Sequence, residues 1–185
     1  MGNILDQGKW ALVTMALFLG SLAVNEWVFT NLEFVRGINW IYLPAGVRLI
    51  CTLLFGLPAA LGLLAGSWIA CFCYYFPDDM LRSVAGGIMA AAAPYLAYRW
   101  ARSALRLQPD LGNLTAWRLL ICAVVYAVMN TTIHHLWFFL QGERVALADG
   151  FIAMLTGDIT GSLIVLYTLK VVSALGRSLL RRRAA

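Results

Sequence analysis

The chain has 185 residues, of which 62% are hydrophobic and only 12% charged, and its mean hydropathy is +0.78. A soluble domain keeps about a quarter of its residues charged, so this composition excludes a cytosolic enzyme, a nucleic-acid module and a disordered regulator. The net charge of +5 comes from arginines beside apolar runs, where anionic lipid is the nearer partner.

Apolar stretches of about 20 residues predict helices, because a membrane barrel would show short alternating segments instead. The sequence therefore reads as one all-α integral membrane domain over residues 1–185, a polytopic bundle of six transmembrane helices. The first span is expected at residues 10–30. Lys9 and Ser21-Leu22-Ala23 imitate a signal peptide there, but the segment is read as an uncleaved span. A loop over residues 31–39 follows, and Pro44 then opens a short second helix at 44–56, where its missing N–H costs nothing. Gly56-Leu57-Pro58 interrupts that helix, so either it spans a thin region or residues 39–43 enter the membrane as irregular backbone. The remaining spans are expected at 58–76, 84–98, 117–140 and 150–172, with a long polar connection at 99–115 and a basic cytoplasmic tail at 173–185.

Lysine and arginine counts orient the bundle. With the N-terminus in the cytoplasm, that side receives Lys9, Arg99, Arg102, Arg106, Arg118, Lys170, Arg177, Arg181, Arg182 and Arg183, ten in all. The outer side receives only three, Arg36, Arg82 and Arg144, together with Glu33, Asp78, Asp79, Glu143 and Asp149. Trp10, Trp100 and Trp117 mark the inner boundary, and Trp27, Trp40 and Trp137 the outer one. These signals put both termini on the cytoplasmic side of the membrane. Cys51, Cys71, Cys73 and Cys122 fall in spans without redox or metal spacing and are read as core.

A charge at the bilayer centre costs about 2.5–3.5 kcal/mol on insertion scales, so ionisable residues within spans call for a partner or a purpose. Glu26, Arg48 and Asp158 are three such residues. Counting about 1.5 Å per residue puts Asp158 roughly 12 Å below the start of the sixth span and Arg48 about 6 Å below Pro44. The two can therefore meet as an ion pair, or serve a pocket open to the outer side in which Arg48 meets an anion, or Asp158 and Glu26 a cation. Asn25, Asn39, Asn130, Thr131, Thr132, His134 and His135 lie at a similar level. Tyr126, Asn130 and His134 share one helix face by their i, i+4, i+8 spacing. His134 and His135 point about 100° apart and chelate one ion poorly, so no metal or other cofactor is expected. No nucleophile stands with a base and oxyanion hole, and the chain is not read as an enzyme. Gly62 with Gly66, and Gly157 with Gly161, are small-residue pairs for close backbone approach, while Gly86-Gly87 and Ala90 to Ala93 before Pro94 make the fourth helix smooth.

Two stretches carry a family likeness. Asn39-Trp40-Ile41-Tyr42-Leu43-Pro44-Ala45-Gly46-Val47-Arg48, continuing through Leu53-Leu54-Phe55-Gly56 to Gly66, resembles a segment of the membrane-associated sensor (MASE) family of bacterial input domains. Gly157-Asp158-Ile159-Thr160-Gly161 is similar to the Gly-Asp-x-x-Gly stretch of that family's last conserved helix. Members usually precede a cytoplasmic cyclase or kinase module, and none is present in these 185 residues, so output is expected to pass through a protein partner on the cytoplasmic side. Pro44-x-Gly46-Val47-Arg48, Leu54-Phe55-Gly56, Gly62 and Gly66 also look like the substrate-binding subunits of energy-coupling-factor transporters. Both likenesses imply a small-molecule site in the outer half.

The expectation is thus a stand-alone sensory or ligand-binding membrane domain, with lipid, an unknown small molecule and a protein as partners and no nucleic acid. A solute-handing transporter subunit, or a structural component locked by an Arg48–Asp158 pair, are the alternatives. The candidate site residues are Glu26, Asn39, Arg48, Asn130, His134, His135 and Asp158.

Overall fold

The computed structural model describes residues 4–143 and 147–183, with side chains described as far as residue 176. Six helices follow in order: α1 (Ile4–Phe29), α2 (Leu43–Phe55), α3 (Leu57–Ala70), α4 (Met80–Ala104), α5 (Ala116–Leu140) and α6 (Leu147–Arg183). Among the described residues the strands are limited to a small antiparallel hairpin, β1 (Glu33–Val35) with β2 (Ile38–Asn39), after a 3-10 turn at Thr30–Leu32. The fold is all-α, and five of its helices are long and apolar enough to cross a membrane; α2 is shorter. Large apolar side chains such as Leu12, Leu17, Trp27, Leu61, Leu136 and Leu163 stand on the outside of the bundle, as lipid-facing positions do.

Local chemistry sets the helix ends. Asp79 caps α4 by accepting from the Arg82 amide at 2.9 Å, and the Thr115 hydroxyl caps α5 by accepting from the Arg118 amide at 3.3 Å. Pro44 sits in the first turn of α2, and Gly56, at φ +61°, ends it in a conformation that an L side chain resists. Helix α3 does not run straight into its loop. It continues as a π turn over Cys71–Tyr75, closed by the Phe76 amide donating to the Cys71 carbonyl at 2.8 Å. Such turns often accompany functional sites.

Helices α1 and α3 run in the same direction side by side: Gly62 meets the backbone of Ala11, and Gly66 meets Met15 and Phe18. At one end Trp10 stacks on Phe55 with ring centroids 4.3 Å apart. The hairpin, residues 76–79 and residues 141–143 form the other end, called here the hairpin end. The central core joins Leu49 and Leu53 of α2 to Ala93, Ala97 and Ala101 of α4 and to Cys122 and Tyr126 of α5. Its alanines let α4 approach closely.

Residues 38–42 descend as extended chain along α6 before α2 begins. A Cβ at Gly150 would touch Ile38, one at Gly157 would collide with the Asn39 carbonyl oxygen, and one at Gly161 with the Tyr42 carbonyl oxygen. The Tyr42 amide donates to the Gly157 carbonyl at 3.1 Å, and the Thr160 hydroxyl donates to the Trp40 carbonyl at 3.2 Å. The Leu43 amide donates to Asn25 Oδ1 at 2.8 Å. These contacts provide internal partners for backbone groups in a buried non-helical segment.

Several boundaries differ from the sequence reading. Helix α4 extends to Met80–Ala104 because Asp79 starts it early, and Arg99 and Arg102 lie within it rather than in the connection. Helix α6 continues to Arg183, so the expected tail at 173–185 is helical over its described part. The loop at 31–39 contains the hairpin. Cys73 is exposed on the π turn, unlike the other three cysteines. Gly157 and Gly161 receive extended backbone rather than another helix. Arg144 lies outside the described residues, as do the side chains of Arg177, Arg181, Arg182 and Arg183.

Candidate ligand site

A cavity of about 80 Å³ begins at the hairpin end and reaches down to Arg48 and Asp158. At about 1.5 Å per residue, Asp158 stands roughly 16 Å along α6 from Leu147. The walls combine aromatic rings, among them Phe18, Tyr42, Tyr75 and Phe138, with a few polar side chains. That mixture is the usual make-up of a small-molecule site.

Arg48 reaches the cavity from the second turn of α2. It is 6% exposed, and its guanidinium donates to the Tyr42 hydroxyl at 3.2 Å. The guanidinium carbon lies 4.8 Å from the centre of the Phe18 ring and 5.3 Å from that of Tyr42, so two aromatic faces hold the cation. Its Nε has no hydrogen-bond partner. No carboxylate lies within 4.0 Å of it among the described residues.

Asp158, 1% exposed, accepts a hydrogen bond from Asn130 Nδ2 at 2.7 Å. Only the amide nitrogen of Asn130 can donate to a carboxylate, which fixes the orientation of the amide and turns its Oδ1 away, without a partner. The expected ion pair between Arg48 and Asp158 is therefore absent as a direct contact. Each is held by its own neighbours, Tyr42 and Phe18 at the guanidinium and Asn130 of α5 at the carboxylate.

The other candidates divide. Asn39 lines the cavity and is buried, and its Nδ2 has no partner. His134 also lines it, with Nδ1 2.9 Å from the Asn130 carbonyl oxygen; a carbonyl only accepts, so Nδ1 carries the proton and Nε2 is left as the second ring atom. Glu26 stands outside the lining. It accepts from the Tyr74 hydroxyl at 2.8 Å and the Tyr75 hydroxyl at 3.4 Å, which ties α1 to the π turn. His135 faces a separate cluster, with ring centroids 5.4 Å from Phe138 and 5.2 Å from Phe151, and its Nδ1 lies 2.9 Å from the Thr131 carbonyl. Of the seven residues, the cavity brings together Asn39, Arg48, Asn130, His134 and Asp158.

Sequence reasoning did not single out Tyr42, Phe18, Ser67 or Arg82 as site residues, though all four line the cavity. Tyr42 lay within the Asn39–Arg48 stretch and gave a signal; Phe18, one of many apolar residues in α1, gave none. Near the mouth the charges are engaged. Arg82 pairs with Glu143 at 3.2 Å, and Arg36 donates to the Tyr74 carbonyl at 2.8 Å. Arg82 Nε nonetheless has no partner, and further unpartnered polar atoms belong to other residues of the site. Ser67 Oγ and the Tyr126 hydroxyl have no partner either, and Tyr126 lies within electrostatic reach of Arg48 and Asp158.

The arrangement defines a class, a multi-helix bundle suited to a membrane with a largely apolar cavity that holds a few buried polar side chains. No family model matches the chain, nor does any curated protein or solved structure.

Proposed function

We propose that the chain is a multi-pass membrane domain that binds a small polar solute in the hairpin-end cavity and reports its presence to a protein partner. The observation carrying this reading is Arg48, a buried guanidinium that lines the cavity, has a free Nε and has no carboxylate beside it. A buried charge without a counter-ion in contact is costly, and the cost is lowered when a solute completes its coordination.

In this reading α2 and the extended residues 38–42 together form the sixth crossing. The 13 residues of α2 rise about 20 Å. The extended segment adds about 16 Å, so the pair matches a hydrocarbon core of about 30 Å. The charge bias supports a hairpin end on the outer side and both termini in the cytoplasm, and the likeness to sensor domains supports a bacterial inner membrane. Helix α6, at 37 residues and so about 55 Å, exceeds the bilayer and carries the cavity's Asp158 toward the cytoplasmic side, a route by which occupancy reaches a partner. The likeness to membrane-associated sensor domains supports the same reading.

Purification in native lipids, followed by mass spectrometry of bound small molecules and co-purifying subunits, tests it. A bound solute together with a kinase or cyclase partner is expected. A solute with a transport ATPase complex would instead assign the chain to transport, and neither solute nor partner would leave only a structural component.

A further inference from the structure

Two opposite charges, Arg48 and Asp158, face one cavity without touching each other. Five lining side chains carry a buried polar atom without a partner: Asn39, Arg48, Ser67, Arg82 and Asn130. Arg48 Nε and Asn39 Nδ2 are donors. Asn130 Oδ1 is an acceptor, and it belongs to the amide that grips Asp158. Asn39, Arg48, Asn130 and Asp158 are each more than nine-tenths buried.

We propose that the solute is a small zwitterion, an amino acid whose carboxylate docks on Arg48 and Asn39 and whose ammonium docks on Asp158 and Asn130. This rests on the reading of the cavity as a solute site and names the chemistry of its occupant. A guanidinium presents its N–H groups as a fork that matches a carboxylate, and Asn39 Nδ2 adds a donor. An ammonium has three donors and no acceptor, the complement of a carboxylate beside an amide oxygen.

Single-charge ligands fit less well. A simple carboxylate would engage Arg48 and leave Asp158 and Asn130 Oδ1 facing its apolar end, and a simple amine would strand Arg48 and Asn39 in the same way. Leaving buried polar groups unpaired gives strong discrimination against ligands that lack the matching group. Near the mouth Arg82 pairs with Glu143 and Arg36 donates to the Tyr74 carbonyl, whereas Arg48 and Asp158 have no ion-pair partner among the described residues. Size points the same way. A cavity of about 80 Å³ holds on the order of five to eight water-sized groups, the scale of a compact amino acid.

The test is equilibrium binding to the full chain in lipid nanodiscs with four probes: L-alanine, γ-aminobutyrate, propionate and propylamine. At least one zwitterion is expected to bind saturably and at least ten-fold more tightly than propionate or propylamine. Asp158→Asn is expected to remove that preference over propionate. Equal affinity for propionate and the zwitterions, or for propylamine and the zwitterions, overturns the inference while the solute site stands. Failure of all four probes to bind also overturns it, and the co-purification experiment then decides the broader reading by itself. The wild-type panel decides the matter even where Asp158→Asn does not fold.

Discussion

Asn130 of α5 donates its side-chain amide to Asp158 of α6 across 2.7 Å, and in doing so leaves its own amide oxygen buried without a partner. One hydrogen bond thus joins two helices and also shapes the polar face of the site. Removing the amide by Asn130→Ala leaves Asp158 buried without its donor. A loss of about 1–2 kcal/mol is expected, in the upper range for hydrogen bonds between membrane helices and higher because a carboxylate is stranded. Reversible denaturation in mixed micelles measures it, and an unchanged stability would show that the bond contributes nothing.

Close approach of residues 39–42 to α6 makes a second expectation sharp. Gly157→Ala and Gly161→Ala each drive a methyl group into a backbone carbonyl, of Asn39 and Tyr42 respectively. Backbone cannot step aside as a side-chain tip can, so each is expected to cost at least the 1–3 kcal/mol typical of overpacking. Gly8→Ala and Gly20→Ala, where a Cβ meets nothing within 4 Å, serve as controls and should leave the melting temperature unchanged or slightly raised.

Separate anchoring of the two buried charges predicts their energetic behaviour. Were Arg48 and Asp158 a locked pair, removing either would strand the other, and the double variant would be more stable than each single one. With Arg48 held by Tyr42 and Phe18 and Asp158 by Asn130, yet each within electrostatic reach of the other, the Arg48→Met/Asp158→Asn double variant is expected to be less stable than either single one in ligand-free protein, by less than the sum of the two losses. A double variant clearly more stable than either single one would restore the lock.

Orientation is open to chemical labelling. In a background freed of the four native cysteines, single cysteines at Gly37 and Asp78 report the hairpin end, and those at Gln108 and Asn113 the opposite end. A membrane-impermeant maleimide added to intact spheroplasts is expected to label the first two and spare the second two. The reverse pattern would invert the topology.

Much of this was legible in the sequence because bilayers impose simple rules. Apolar run length located the helices, and the cost of intramembrane charge drew attention to Arg48 and Asp158 and to the polar residues at their level, Asn130 among them. Pro44 and Gly56 marked both ends of α2, since each restricts the backbone locally. What escaped was long-range. The choice of Tyr42 and Phe18 as neighbours of Arg48 depends on how α1 and α2 pack, and no local pattern encodes it. Glu26 looked like a site residue from its depth alone, yet its rotation on α1 turns it to Tyr74 and Tyr75. His135 sits one residue from His134 and so faces another cluster, a consequence of the helical turn per residue. Gly157 and Gly161 signalled a close approach correctly, but small residues do not reveal whether helix or extended chain fills the groove.

On the proposed reading, solute from the hairpin end reaches a largely apolar cavity with Arg48 and Asp158 in its lining. Ser67 lines that cavity and has an unpartnered hydroxyl. The most direct measurement is the reactivity of Ser67→Cys, in the background without native cysteines, toward a small charged methanethiosulfonate in nanodiscs. Modification of the folded protein is expected, slowed when the cavity is occupied by its solute. A thiol that reacts only after denaturation would contradict the account.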